Sequence, residues 1–225
     1  MPIGAFWGYK TDGLIQTQEQ LNAVKRADFQ PNAELGDVLF VDTNGDGKLD
    51  SSDRCMIGNP IPDIIYGINM GMAWKGFDLN LQFGGTIGNQ IFNAMRYYTY
   101  FPNDITNKDR ALMNYWTPNN TNTDIPRLTA TDVNDNDRFS DMYVENGTYF
   151  RLRNAQLGYT LPASLTQRIK LQKVRFYVSG QNLFTISSYS GMDPEVGQSS
   201  SLSRGIDYGI YPQNISFTGG INVTF

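Results

Sequence analysis

The chain of 225 residues has no histidine and a single cysteine, Cys55. Without an imidazole it lacks the commonest general base, so no Ser/His/Asp triad can be built. One thiol excludes an internal disulfide, and no Cys/His cluster exists to hold zinc or a redox centre; Cys55 reads as a small packed residue. Long apolar runs are also missing. No stretch of eighteen or more apolar residues occurs, which excludes a membrane helix but not a membrane barrel, whose strands need only alternate. Charge is sparse, at 18% Asp, Glu, Lys and Arg with a net −4, and no Lys/Arg-rich block appears, so nucleic acid is not expected as a partner. The opening Met-Pro-Ile-Gly-Ala-Phe-Trp7 has neither a charged n-region nor an apolar h-region. No export signal is expected there, and an outer-membrane location places the beginning of the protein elsewhere.

What is abundant points to strands and turns: 13 Tyr, 13 Phe and 3 Trp, with 22 Gly and 10 Pro. The segment Ile215–Phe225 alternates without a fault, setting Phe217, Gly219, Ile221, Val223 and Phe225 against Ser216, Thr218, Gly220, Asn222 and Thr224. A strand of about 9–11 residues with one apolar and one polar face has the length and pattern to cross a bilayer in a closed barrel. A soluble strand with one buried face gives the same alternation.

Four further segments share this character. Ile64–Trp74 places Tyr66, Ile68, Met70, Met72 and Trp74 on one face, and Lys75-Gly76 then predicts a tight hairpin into Phe77, Leu79, Leu81 and Phe83. In Tyr149–Leu161 the phase slips between Leu152 and Ala155, which predicts a bulge near Asn154. Lys173–Phe184 sets Val174, Phe176, Val178 and Gly180 against Arg175, Tyr177, Ser179 and Gln181. Connections alternate between short ones, at 75–76 and around 162–164, and long ones, at 86–147 and 187–214. That asymmetry is the mark of an outer-membrane barrel, with long outer loops and short periplasmic turns. Five strands are too few to close a membrane barrel, so the expected fold is all-β and part of something larger.

Residues 1–63 read as a mixed region. Thr17 is a candidate N-cap for one short helix ending near Arg26. The sharpest local motif follows at 42–53, where Asp42, Asn44, Asp46, Asp50 and Asp53 stand at positions 1, 3, 5, 9 and 12 of a twelve-residue loop. Gly47 sits at position 6, and Lys48 at 7 would offer its carbonyl. This is the EF-hand pattern for one structural calcium ion, closed by Asp rather than Glu as in dockerin-type loops. An Asn/Asp/Gly turn cluster without an ion has the same composition.

These strings together resemble the C-terminal portion of SusC/RagA-type TonB-linked outer-membrane transporters. The resemblance runs in order through Pro2–Gly13, Gly36-Asp37, the 42–47 loop, Ile57-Gly-Asn-Pro-Ile-Pro62, Trp74-Lys-Gly-Phe-Asp78 and Tyr115-Trp-Thr-Pro118. It continues with Ile125-Pro-Arg127, Tyr149–Asn154, Leu157–Pro162, Ser179–Thr185, Gly191-Met-Asp-Pro-Glu195 and the last strand. It implies a 22-stranded barrel in a Gram-negative outer membrane, enclosing an N-terminal plug absent from this chain. The implied partners are membrane lipid, the rest of the barrel, a SusD-type surface lipoprotein, TonB through the missing N-terminal part, and the barrel-assembly machinery. The implied cargo is an oligosaccharide or peptide, imported without chemistry. Phe217, Ile221, Val223 and the terminal Phe225 resemble the assembly signal of such barrels.

Tyr97, Tyr98, Tyr100, Trp116, Tyr143 and Tyr189 fall in the long loops, where their rings would suit the apolar faces of sugars. The blander reading, favoured for any one of them, is that they brace the loops or form the interfacial aromatic girdle; packing against a lid partner is a further alternative. The chain divides, on this reading, into a loop region at 1–63 and barrel strands with outer loops at 64–225. The rival reading is a secreted, soluble calcium-binding β-domain, an adhesion or carbohydrate-binding module, which would bury Phe77, Leu79, Leu81 and Phe83 under a second sheet.

Overall fold

The computed structural model describes residues 2–101, 107–196 and 203–225, so the stretches 102–106 and 197–202 inside the two expected long loops lie outside the described residues. The chain forms two compact units that interleave along the sequence.

One unit gathers Pro62–Asn89, Gly147–Glu195 and Tyr211–Phe225. Its five strands are β1 (Ile64–Trp74), β2 (Phe77–Ile87), β3 (Tyr149–Thr160), β4 (Lys173–Ser187) and β5 (Ser216–Thr224). They pair antiparallel in sequential order, a meander with β1 and β5 at its two edges, and the sheet does not close. All five stand where the alternation places them, because a period of two suits only a pleated strand whose faces meet different solvents.

The hairpin between β1 and β2 turns on Lys75 and Gly76, at φ 46° and 89°. Both values are positive, as a type I′ turn requires, and this turn's twist matches that of the flanking strands. The bulge also falls where the phase slip predicts it. Asn154 pairs with Gln82 and Leu152 with Phe83, leaving Arg153 as the extra residue of β3. On the other side, Gln181 pairs with Asn154 and Phe184 with Leu152, and Asn182 takes up the irregularity at φ 52°. One added residue reverses the parity, so Leu152 and Ala155 share a face.

The second unit joins the chain up to Ile61 with Gln90–Asn146 and Val196–Ile210. The first third and the long connections, far apart in sequence, therefore share one body. Its helix α1 (Gln18–Arg26) starts at Thr17, whose side chain accepts from the Gln20 N–H while the Gln20 side chain accepts from the Thr17 N–H. This reciprocal capping satisfies two of the orphan donors of the first turn. Short strand pairs, Phe6–Gly8 with Cys55–Gly58 and Thr11–Leu14 with Val38–Phe40, carry the core. One cluster packs Phe6, Ile57, Phe92, Phe101 and Tyr143, another Tyr9, Phe29, Val38, Phe40 and Trp116. Each fully buried large side chain contributes about 1.5–3 kcal/mol, which is what lets connections of this length hold a shape.

A polar network locks the same body. Arg127 Nε donates to Asp37 Oδ1 at 2.6 Å, Asn136 Nδ2 donates to the same oxygen at 3.0 Å, and the Val38 N–H donates to Asn136 Oδ1 at 2.8 Å. Asp37 is fully buried, so its charge is tolerable only with these partners.

Candidate functional site

Directly opposed residues of a sheet share a face, so the register assigns each face row by row. On one face the rows are Trp74–Phe77–Tyr159–Phe176–Ile221, Met72–Leu79–Leu157–Val178–Gly219, Met70–Leu81–Ala155–Gly180–Phe217 and Ile68–Phe83–Leu152–Phe184. A fifth row carries Tyr66, Phe150 and Ile186 around Gly85. No polar side chain interrupts this face except the Tyr66 and Tyr159 hydroxyls at its two ends. Phe77 and Tyr159 lie 4.5 Å apart between ring centroids at the short-turn end. Phe150 stacks on Phe83 at 5.2 Å and on Tyr66 at 6.4 Å at the other. Aliphatic and Met side chains, with Phe217 at the β5 edge, fill the band between the two aromatic belts, the layout of a barrel's lipid face.

That face is bare: Met72, Trp74, Val178 and Phe217 are 59%, 70%, 60% and 79% exposed. Phe217, Ile221, Val223 and Phe225, the residues of the expected assembly signal, all stand exposed. Phe77 is exposed and Leu79, Leu81 and Phe83 are partly exposed.

The opposite face is polar and almost free of net charge. Its rows include Gly71–Asn80–Gln156–Ser179–Thr218 and Asn69–Gln82–Asn154–Gln181–Ser216. Arg175 pairs with Asp78 near the short turn, and Arg151 is held at the far end by three side chains. Arg151 Nη2 donates to Asp193 Oδ1 at 2.6 Å, Nη1 to Glu195 Oε2 at 2.8 Å and Nε to Thr185 Oγ1 at 2.8 Å. Burial pushes the Asp193 carboxyl up, but the Gln213 and Glu195 N–H groups and the Arg151 guanidinium outweigh it and hold the group below the usual range. This clamp fastens the Gly191-Met-Asp-Pro-Glu195 string to β3.

The loop aromatics are not brought together as one surface. Tyr143 is fully buried, Trp116 and Tyr189 nearly so, and Trp116 donates through Nε1 to Gln16 Oε1 at 2.8 Å. Tyr143 has no exposed face and Trp116 and Tyr189 expose only 6% and 8%, so in this structure the three serve as core and bracing residues. Tyr97 packs on Phe92 and Tyr143, Tyr100 lies under the Arg96 guanidinium at 4.9 Å, and Tyr98 is exposed.

In loop 42–53 the side chains close on the loop itself. Asp42 accepts from the Gly45 and Gly47 N–H groups at 2.6 and 2.8 Å, Asn44 from Asp46, and Asp46 from Lys48. Buried Asp53 accepts from the N–H groups of Thr43 and Asp50. The Gly47 N–H, followed by that of Gly45, holds the Asp42 carboxyl below the usual range. Hard oxygen donors are the right chemistry for calcium. Their arrangement is not yet that of a site, because among the described residues no three acidic, His or Cys side chains lie close enough together to share an ion. A polar cleft of about 400 Å3 beside it, lined by Asp28, Gln30, Lys48, Asp50, Asn134 and Arg138, is a feature that sequence reading missed.

A two-faced antiparallel meander with aromatic belts defines a section of the wall of a transmembrane β-barrel. No family model matches the chain. It is 39% identical over 233 residues to TonB-dependent receptor P3 of Formosa agariphila, covering 99% of the chain and 22% of that receptor. TonB-dependent receptor SusC of Bacteroides thetaiotaomicron is 29% identical over 198 residues, 88% of the chain and 18% of the receptor. The structure of the RagAB peptide transporter superposes with a TM-score of 0.73 at 25% identity, over 98% of the chain and 22% of the transporter chain. The chain belongs to the SusC/RagA-type TonB-dependent receptors, proteins of the Gram-negative outer membrane. It spans about a fifth of the length of the curated relatives it matches.

Proposed function

We propose that this chain forms part of the wall and the outer loops of an energy-coupled importer of oligosaccharides or peptides, and that it performs no chemistry on the cargo. The observation that carries this reading is the two-faced sheet: a bare apolar band between aromatic belts on one side, and an amide-lined face on the other. A polar face rich in amides, with Arg175 and Arg151 held by carboxylates, suits passage of neutral or weakly charged solutes. The name of the RagAB peptide transporter supports a transport role. The partners proposed are membrane lipid, the remaining barrel and plug, TonB acting through that plug, a SusD-type lipoprotein over the loops, and the assembly machinery reading Phe217 to Phe225. The test is accumulation of labelled oligosaccharides or peptides by cells carrying the receptor. Uptake that stops when the proton-motive force is collapsed, with surface binding retained, supports the reading; uptake indifferent to that force overturns it.

Calcium at loop 42–53 is a second, structural proposal. It rests on the donors Asp42, Asn44, Asp46, Asp50, Asp53 and the Lys48 carbonyl, and requires the acidic side chains to turn inward from their present backbone partners.

A further inference from the structure

Two shallow grooves run together on the apolar face of the sheet. One, of about 450 Å3, lies at the short-turn end against Phe77, Tyr159, Phe176 and Ile221; the next, of about 370 Å3, continues along the strands over Gly180 and Gly219. Leu157, Val178 and Gly219 line both, so the two form one trough. It exists because the rows step from bulky to small: Tyr159 and Phe176 stand at one end, and Ala155, Gly180 and Gly219 leave its floor open.

The rim at the same end carries a charge pattern that the rest of the sheet lacks. Lys75, Arg168 and Lys170 are all exposed on the two short connections. The Thr160 N–H donates to Gly76 O at 2.8 Å and the Gln172 N–H to Thr224 O at 2.9 Å, which sets the hairpin turn beside the end of β3 and Lys173 beside the end of β5. From Trp74 to Asp78 and from Tyr159 to Arg175 the only acidic side chain is Asp78, and Arg175 already holds it. The Lys75 ammonium rests 4.8 Å from the Trp74 ring centroid, at the level where an amphipathic ring marks the edge of the hydrocarbon.

We propose that this trough and rim hold one anionic phospholipid of the leaflet on the short-turn side, with an acyl chain along Leu157, Val178 and Gly219 and the phosphate among Lys75, Arg168 and Lys170. The assignment rests on the reading of this face as lipid-facing and goes beyond it, since general wetting by lipid needs neither the trough nor the cations. An aliphatic trough at hydrocarbon depth, open at the end where exposed cations stand on the short connections, matches a chain joined to an anionic headgroup. A zwitterionic lipid would fill the same trough and gain less at the rim.

The experiment uses the whole receptor purified in detergent and offered phosphatidylglycerol or phosphatidylethanolamine with identical acyl chains, the retained lipid being counted by native mass spectrometry. Wild-type receptor is expected to retain phosphatidylglycerol in clear preference. Lys75→Gln, Arg168→Gln and Lys170→Gln should each reduce that preference by about fivefold. Gly219→Leu fills the trough at a position where an added Cβ meets only the Tyr177 carbonyl oxygen at 3.9 Å, so it should lower retention of both lipids without unfolding the wall. Heat-modifiable gel mobility reports that each variant is a folded barrel. Equal retention of the two lipids by wild type, or a preference that survives the triple Gln variant, overturns the assignment. Failure of the wall reading looks different: a receptor soluble without detergent, which overturns both.

Discussion

Arg175 and Asp78 meet across the one residue between them that has no side chain. Arg175 Nε donates to Asp78 Oδ1 at 2.9 Å and Nη2 to Oδ2 at 2.5 Å, reaching from β4 to β2 over Gly158 of β3. A Cβ added at Gly158 would lie 2.4 Å from Arg175 Nη2 and 2.6 Å from Asp78 Oδ1. Gly158→Val is therefore expected to push the pair apart and cost about 1–3 kcal/mol. Removing Arg175 first should shrink that cost, because the two substitutions act on one contact. Urea unfolding of the receptor followed by gel mobility, with both single variants and the double, reads the coupling.

The two sides of β2 should respond oppositely to charge. Leu81→Arg is expected to cost about 2–4 kcal/mol if it stands near the bilayer midplane, whereas Asn80→Asp on the polar side should be nearly silent. Outer-membrane yield and heat-modifiable mobility measure both. Equal tolerance would mean that the sheet has no lipid side.

Tyr143 offers a sharper test of the loop core. Its ring is fully buried, and among the described residues its hydroxyl has no hydrogen-bond partner. Burial pushes that hydroxyl well above its ordinary pKa, so it stays neutral. Tyr143→Phe removes an unpaired polar atom and is expected to be neutral or stabilising by up to about 1 kcal/mol, while Tyr143→Ala should cost about 3–5 kcal/mol. Uptake that survives Tyr143→Phe agrees with a packing role; a ring bonding cargo through its hydroxyl would lose it.

The Asp193 clamp should be sensitive to acid. Its folded pKa lies below the unfolded value, so its contribution is complete above the ordinary Asp pKa of about 3.9 and is lost as the pH falls through the lowered folded value. Protection factors across Gly191–Glu195, corrected for intrinsic exchange, should therefore hold steady from neutrality down to about pH 4 and fall below it. Asp193→Asn should lower protection at neutral pH and converge with the wild type in acid.

Loop 42–53 can be tested by calorimetry. Calcium titration should give heat with an affinity in about the 10⁻⁴–10⁻³ M range of extracellular modules, abolished by Asp46→Ala. An absence of heat in the wild type would leave a turn closed by its own hydrogen bonds.

The wall was legible in the sequence down to its bulge. Alternation is local: each strand of about ten residues meets two solvents, and that contrast is written at every second residue from Ile64 to Trp74 and from Phe217 to Phe225. The phase slip after Leu152 is just as local. The loop body was not legible, because its determinants are distant pairs. Asp37 finds Arg127 ninety residues away, and Trp116 finds Gln16 a hundred away. A buried Tyr143 and an exposed Tyr98 look alike in a loop read by composition, since only packing separates them. The loop 42–53 motif declared its donors but not whether they would face an ion or their own backbone.

The extra residue at Arg153 gives the wall a reading frame. Deleting it would leave β3 long enough and apolar enough to span, yet everything from Tyr149 to Leu152 would turn over relative to Ala155 and beyond. Phe150 would then face the polar side and Arg151 the hydrocarbon, stripped of Asp193 and Glu195. In β3 a shift of one position is thus graver than most substitutions, and a compensating single insertion a few residues away would restore both faces while leaving only the interval between the two changes inverted.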